Sequence, residues 1–462
     1  MPPSLYHTSP ESVATHRYSM KFRHFRWFAL LCAALLSTGC DQGRPAQRST
    51  TVRIANVAPS FAELNFRRGE RDPNPTQLAF KGAAQHSWGE DTYNFSVDER
   101  TLVEAAGRTW SFTKDVRDGT VYTFVLTEDA GEIEPIFLEY PSPGATTTQT
   151  QIIGMHAGGG LPAIDFYLES AGVGIAGATP RATLTFQQTF PASTVPTGDY
   201  EITLTEAGNP SNVLLTSVPI ALSTAPTAFI IVDEAGEGTE PLSVLLLQEG
   251  TTVLYDVGST SELRVINGAS DMQPRDFAIN REFAPPLFSA IPFATPTSYA
   301  TVPVAVGQPI NVTPVGNPGV LELDQLLSTA ATQRGTLLFA GNAGTLTHAV
   351  AADDGRRIAN EAKLRFFNAA TQFTDPTDFV LVRAGEDPTN ALQVATLFAP
   401  GITAYNTFPP GDYSLALRTN GTTTLLAGPI AITLAGAGIY GMLAINGAST
   451  ATADMVLLED FP

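Results

Sequence analysis

Short runs in which apolar and polar residues alternate recur along this chain, and four of them open on one pattern. They are Val52-Arg53-Ile54-Ala55-Asn56, Thr150-Gln151-Ile152-Ile153-Gly154, Leu263-Arg264-Val265-Ile266-Asn267 and Leu364-Arg365-Phe366-Phe367-Asn368. Alternate side chains of a strand share a face, so Leu364, Phe366 and Asn368 point one way and Arg365 the other. On this reading the apolar pair packs inward, the Asn satisfies backbone groups of the following turn, and the Arg is solvated on the outer face.

Thirteen to fifteen residues beyond the Arg position stands a second shared element: Leu64-Asn65-Phe66, Ile164-Asp165-Phe166, Arg275-Asp276-Phe277 and Thr377-Asp378-Phe379. Its Phe is the expected core residue. Phe166 precedes Tyr200 by 34 residues, and Phe379 precedes Tyr413 by the same 34. Both tyrosines follow a Gly-Asp turn and start a strand. Each unit closes on two apolar strands around a small-residue turn, at 121–126, 228–232, 337–340 and 441–445. About seven short strands per hundred residues predicts an all-β chain, a tandem array of four immunoglobulin-like antiparallel β-sandwich domains. Their expected bounds are 51–142, 147–257, 260–355 and 361–462. The joints near 141–149, 258–261 and 353–357 are expected to be cut first by proteases. Helical spacing occurs once, at 320–332, through Leu323, Leu326 and Leu327, in the place where the other units carry a strand.

At this point the pattern resembles the bacterial exported domain-of-unknown-function 4397 family, whose copies open with an Arg-x-x-Asn strand and occur in tandem on lipoproteins. The resemblance covers most of 51–462. It is clearest in the third and fourth units and weakest in the second, where Gln151 and Gly154 replace Arg and Asn. It implies a packing scaffold and carries over no catalytic residue.

The front of the chain reads as an address. Residues 1–19 are a polar extension, and Met20-Lys21-Phe22-Arg23-His24-Phe25-Arg26 forms the basic start of a signal peptide at 20–39. Its apolar run, 27–36, is too short to span a bilayer. Leu36-Ser37-Thr38-Gly39-Cys40 resembles a lipoprotein lipobox, with Ser37 in place of the usual Leu, so Cys40 is the expected lipid-attachment residue. Asp41 resembles an inner-membrane retention mark in some Gram-negative bacteria. Residues 40–50 then serve as a linker. The only other cysteine, Cys32, lies inside the signal, so the exported part must be held by its cores alone.

Composition narrows the partners. The chain of 462 residues carries 26 basic and 45 acidic side chains, and loss of residues 1–40 leaves 22 against 44. A net charge near −22, with only Lys81, Lys114 and Lys363 left as lysines, does not suit nucleic acid. The expected partners are the membrane, through the N-terminal lipid anchor, and a protein or polysaccharide outside the cytoplasm.

Candidate chemistry is sparse. The spacing of Gly172-Val173-Gly174-Ile175-Ala176-Gly177 matches a dinucleotide loop, but Pro180 and a strand-like segment follow where a helix must begin, so a turn is expected. His156-Ala157-Gly158-Gly159-Gly160 lacks any Gly-x-Ser-x-Gly partner, and His86, His156 and His348 are read as structural. No histidine pair has zinc spacing. Acidic turns at 128–135 and 233–241 could offer oxygen to calcium, yet they read more simply as charged hairpin tips that keep the surface soluble. No catalytic, metal-binding or cofactor-binding residue is therefore assigned, and no cofactor is expected. The expected function is a non-catalytic cell-envelope lipoprotein acting in binding, adhesion or scaffolding. The alternatives are a polysaccharide-binding accessory protein, which would need exposed aromatics on one sheet face, with Trp88 and Trp110 the only tryptophans after the signal, and an envelope hydrolase, which is disfavoured because acid pairs such as Asp353-Asp354 fall in an expected linker and not in a pocket.

Overall fold

The computed structural model describes residues 49–69, 74–100, 107–142 and 148–461. The signal segment, Cys40, Asp41 and the joint at 143–147 lie outside them. Among the described residues the regular structure is strand, apart from a single 3-10 turn at Pro388–Asn390. Eight sheets form four sandwiches, so the chain is an all-β tandem array of immunoglobulin-like sandwiches.

Each sandwich follows one plan. In the first, the opening strand Thr50–Asn56 pairs antiparallel with Ala83–Trp88 and parallel with Thr120–Asp129, which turns back into Glu132–Pro141. The facing sheet runs Thr76–Ala79, Glu63–Arg68, Asp91–Glu99 and Thr109–Val116. The parallel pairing of the opening strand recurs in the other repeats, with Thr227–Asp233, Arg334–Gly341 and Ile439–Asn446 as partners. Because the last hairpin runs back down, each repeat begins its first and ends its eighth pass at the same end, here called the base, where the pairs Asn209–Thr216 with Ile220–Leu222 and Gly401–Ile402 with Asn406–Phe408 each count as one interrupted pass. The second repeat adds one more strand, Thr251–Leu254, beside Leu242–Leu247, and so leaves from the opposite end, the top.

The period-two reading places the cores correctly. Val52 and Ile54, or Leu364 and Phe366, lie between the sheets with the signature Phe66 and Phe379, and Phe166 and Phe277 fill the same place in their repeats. The Asn at the end of the strand hooks the next turn. Asn56 Oδ1 accepts from Ala58 N and its Nδ2 donates to Leu78 O, both at 3.0 Å, and Asn267 and Asn368 repeat the arrangement. The polar residue before the Phe has a matching task. Asp165, Asp276 and Asp378 each accept from the amide of a hairpin glycine, Gly208, Gly316 or Gly421, which holds φ near +70° where a side chain would be strained. Tyr200 and Tyr413 donate to carbonyls four residues upstream, at Pro196 and Pro409, the tyrosine corner of immunoglobulin-like folds.

Three expectations are corrected. The segment 320–332 is not helical but carries the strand Leu323–Thr329, in which Leu323 and Leu327 are buried while Leu326 stays 64% exposed. In the second repeat the residue equivalent to Asn56 is His156, not Gly154. His156 N donates to Gln188 O and His156 O accepts from Gln187 N, as Asn56 does with Gly82 and Lys81. Ile153, and not Gln151, therefore stands at the Arg position. The third correction is the largest: Arg53, Arg264 and Arg365 are 5, 4 and 0% exposed. They are not solvated, because the opening-strand sheet of each repeat is covered by that of its neighbour.

That covering is apolar. Ala55, Val121, Val125 and Leu138 of the first repeat pack on Ile153, Met155, Ile230 and Leu245 of the second. Ile266, Leu338 and Ala340 of the third pack on Phe367, Leu443 and Leu458 of the fourth. The bases of the upper pair sit on the tops of the lower pair, where Thr239 N donates to Thr332 O and Ala359 N to Ser60 O, both at 3.0 Å.

Candidate functional site: the charged junctions between repeats

The densest polar cluster lies where the third and fourth repeats meet. Arg365 is carried into it by the outward side of its opening strand. Its Nε donates to Asp460 Oδ2 at 2.6 Å in its own repeat, Nη1 donates to Asp353 Oδ1 across the junction, and Nη2 donates to Thr336 Oγ1 at 2.9 Å. Arg264 answers from the other side. It donates to the Asp460 carboxylate and, at 2.9 Å, to the Asp460 carbonyl, while its Nε lies 2.8 Å from Thr336 Oγ1 and 3.7 Å from Asp353. Thr336 Oγ1 in turn donates to Asp353 Oδ2 at 2.6 Å. Tyr299 and Tyr405 donate to Asp353 and Asp460, and each ring lies under the guanidinium of its own repeat's arginine. Burial alone would lower the Arg365 pKa, but Asp353 and Asp460 outweigh it and raise it. The same burial would raise Asp460, and Arg365 and Arg264 hold it below the usual carboxylate range.

Asp353-Asp354 thus sit in a structured junction. Asp354 pairs with Arg356 at 3.0 Å and with Lys363 at 3.2 Å. Burial pushes the Lys363 ammonium down to about 8, with Asp354 pulling the other way. The segment that follows is a strap over the lower pair and not an open tether. Gly355 N donates to Gly236 O, Arg356 lies over the Phe80 ring, and Asn360 Nδ2 reaches Glu99 at 3.1 Å. These contacts hold residues 355–360 against the first and second repeats.

The lower junction is built differently. Arg53 Nη1 donates to Tyr140 Oη at 3.1 Å and to the carbonyls of Pro226 and Leu247 in the second repeat. With no carboxylate beside it, burial lowers the Arg53 pKa. At the tops, Lys81 donates to Glu234 and to Tyr255, each at 2.7 Å, and pairs with Glu237. Burial would lower the Lys81 pKa, but the two glutamates raise it. The turn at 233–241 is therefore a clamp between repeats and not a solubilising tip. Glu128 of the other acidic turn accepts from Ser60 N at 3.0 Å, and Glu132 takes Trp110 Nε1 at 2.7 Å and Arg108. Among the described residues no group of three or more His, Cys, Asp or Glu is disposed to hold a metal ion.

The remaining candidates are separated from one another. His156 Nε2 donates to Pro162 O at 2.9 Å while Nδ1 accepts from Gly158 N at 3.3 Å, which defines a neutral ring. His86 stacks on Trp88 and lies 3.2 Å from Thr76 Oγ1. His348 lies on the strand Thr347–Ala352, and burial lowers its pKa. Trp88 is 6% exposed inside an aromatic core with Phe66, Phe95 and Phe124, and Trp110 is partly covered by Arg108 and Phe61. The glycines at 172, 174 and 177 form a turn with positive φ.

Burial holds the His156 pKa below its ordinary value, with Pro162 and Asp233 opposing. A depressed folded pKa means that the neutral ring's full contribution is present above about pH 6.5 and is lost as the pH falls further. His156→Asn, which installs the hook of the other repeats, is expected to flatten the stability profile between pH 7.5 and 5 in urea titrations. A profile as steep as the parent's would assign the slope to other groups, His348 first.

No curated protein matches the chain. Among solved structures, "The Bacillus anthracis TIE protein" aligns over 86% of this chain and 68% of that chain at 11% identity, with a TM-score of 0.15. Residues 261–375, which span the third sandwich, the strap and the opening strand of the fourth, match the family model described as Domain of unknown function (DUF4397).

Proposed function

We propose that the chain is a non-catalytic envelope lipoprotein, anchored through a lipid on Cys40, whose four sandwiches form a rigid platform for binding or scaffolding outside the cytoplasm. The observation that carries this reading is where the reactive side chains are engaged: arginines, buried acids and His156 all hold one repeat, or one turn, against another. The shared opening strand, Asn or His hook and closing hairpin support reading all four units as copies of one domain. The outer sheet of the first repeat carries a polar face. In the first repeat, cross-strand pairs Thr92–Asp115, Asn94–Thr113 and Asp98–Thr109 bond at 2.7, 2.7 and 3.0 Å on the outer sheet. Such a surface, with Trp88 committed to the core, favours a protein partner over stacking on a polysaccharide.

Cell fractionation and intact mass measurement test the anchor. The expected result is a diacylated Cys40 at the mature N-terminus, and a Cys40→Ser protein that moves to the soluble fraction. A mutant that stays in the membrane fraction overturns it. For the platform, cross-linking in intact cells is expected to recover a protein partner. Turnover of an esterase, glycosidase, peptidase or phosphatase substrate, abolished by one substitution in the chain, would replace this reading with the hydrolase.

A further inference from the structure

The two repeat junctions are equivalent in backbone but not in chemistry, and the difference has a use. In the upper junction each repeat supplies one arginine and one aspartate, and each arginine reaches the aspartate of the other: Arg264 to Asp460, Arg365 to Asp353. The four charges cancel within a buried space. In the lower junction, strand register puts Ile153 at the place of the second arginine and Tyr140 at the place of an aspartate. We propose that the opening-strand arginine and the closing aspartate form a reciprocal pairing code, which selects the third and fourth repeats as partners for each other and sets the register of their facing sheets.

The physical basis is negative as much as positive. Apolar faces such as those of Ile266 and Phe367, or Ala55 and Ile153, offer little discrimination between possible partners. A buried guanidinium does discriminate. Arg264 or Arg365 facing the first repeat would meet Tyr140 in place of an aspartate, and Asp353 or Asp460 facing the second would meet Ile153 in place of an arginine, so in either case one charge of the crossed pair is buried without its partner across the junction. Arg53 avoids this by using the phenol and two carbonyls, acceptors that the upper repeats do not need. A sandwich that exposes such an arginine and aspartate on its opening-strand sheet is thus a docking face for another sandwich of the same kind.

The test uses the full chain and hydrogen exchange read peptide by peptide. Arg365→Asp places three carboxylates around Arg264. It is expected to speed exchange in the strap, at the Gly355 and Ala359 amides, by roughly tenfold or more. Arg365→Asp combined with Asp353→Arg restores two charges of each sign in crossed positions, and is expected to return the strap to within about threefold of the parent. Strands Arg275–Ile279 and Thr377–Arg383 report whether each sandwich still folds. The code is supported if those strands stay protected while the strap opens in the single variant and closes in the double. It is overturned if the single variant leaves the strap protected, or if the double opens it as far as the single does. If the single variant also unprotects the core strands, recovery in the double still decides: rescue supports the code and no rescue overturns it.

Discussion

Arg365→Met is expected to lower the stability of the upper repeats by about 3–5 kcal/mol, the range for breaking a buried ion pair by removing one partner. Methionine fills much of the same volume, so the loss comes from Asp353, which loses its nearest cation, and from Asp460, which is left with Arg264 alone. The measurement is the urea midpoint of the full chain, followed by a probe in the fourth repeat. Arg281→Ala provides the contrast, because its pair with Asp324 is largely solvated and should be worth under about 1 kcal/mol. The acid side follows from the same geometry. Burial would raise the Asp460 carboxyl, but Arg365 and Arg264 hold it below the ordinary range. The stability this supplies is fully present above about pH 4 and is lost as the pH falls below that, so the upper pair should be more acid-sensitive than the Met variant, in which only Arg264 still holds the carboxylate.

Phe166→Ala is expected to destabilise the second repeat by about 3–5 kcal/mol, a large-to-small change in a core with little room to collapse. The ring is fully buried, with the rings of Phe190 and Phe229 at 5.1 and 5.5 Å. Thermal or urea unfolding monitored in that repeat checks it. Phe398→Ala, at a largely exposed ring, should change stability by less than about 0.5 kcal/mol. Equal effects at the two sites would mean that the signature Phe is not the centre of its core.

The sandwiches were legible because their signals are local. Alternation assigned Val52, Ile54, Leu364 and Phe366 to one face, and the Asn and Phe motifs marked the turn and core that follow. The place of the arginines was not legible from alternation, which separates two faces without saying what lies beyond either. Yet a cue was present. Ile153 and Met155, Ile266, and Phe367 are apolar on the same side as the arginine, and strands apolar on both faces are usually buried on both. The misplacement in the second repeat had a cue as well: Asn56 to Phe66, His156 to Phe166 and Asn267 to Phe277 are all ten residues apart. For 320–332, leucines at 323, 326 and 327 fit either period, and only the pairing of Leu323 with Val312 and of Leu327 with Gln308 decides for the strand. The clamps formed by Lys81, Tyr299 and Asp460 join residues that are distant along the chain, and no spacing rule connects them.

The additional strand Thr251–Leu254 settles a question of parity. An even number of passes through a sandwich brings the chain back to the side it came from, so the next module can only stand beside the last. An odd number delivers it to the far side, so the next module starts a new storey. One four-residue edge strand, which adds only Leu254 to the core of its repeat and Val253 to the junction beside it, therefore turns what would be a single row of four into two storeys of two. Adding or removing such a strand elsewhere would redirect growth of the array without altering a single sandwich.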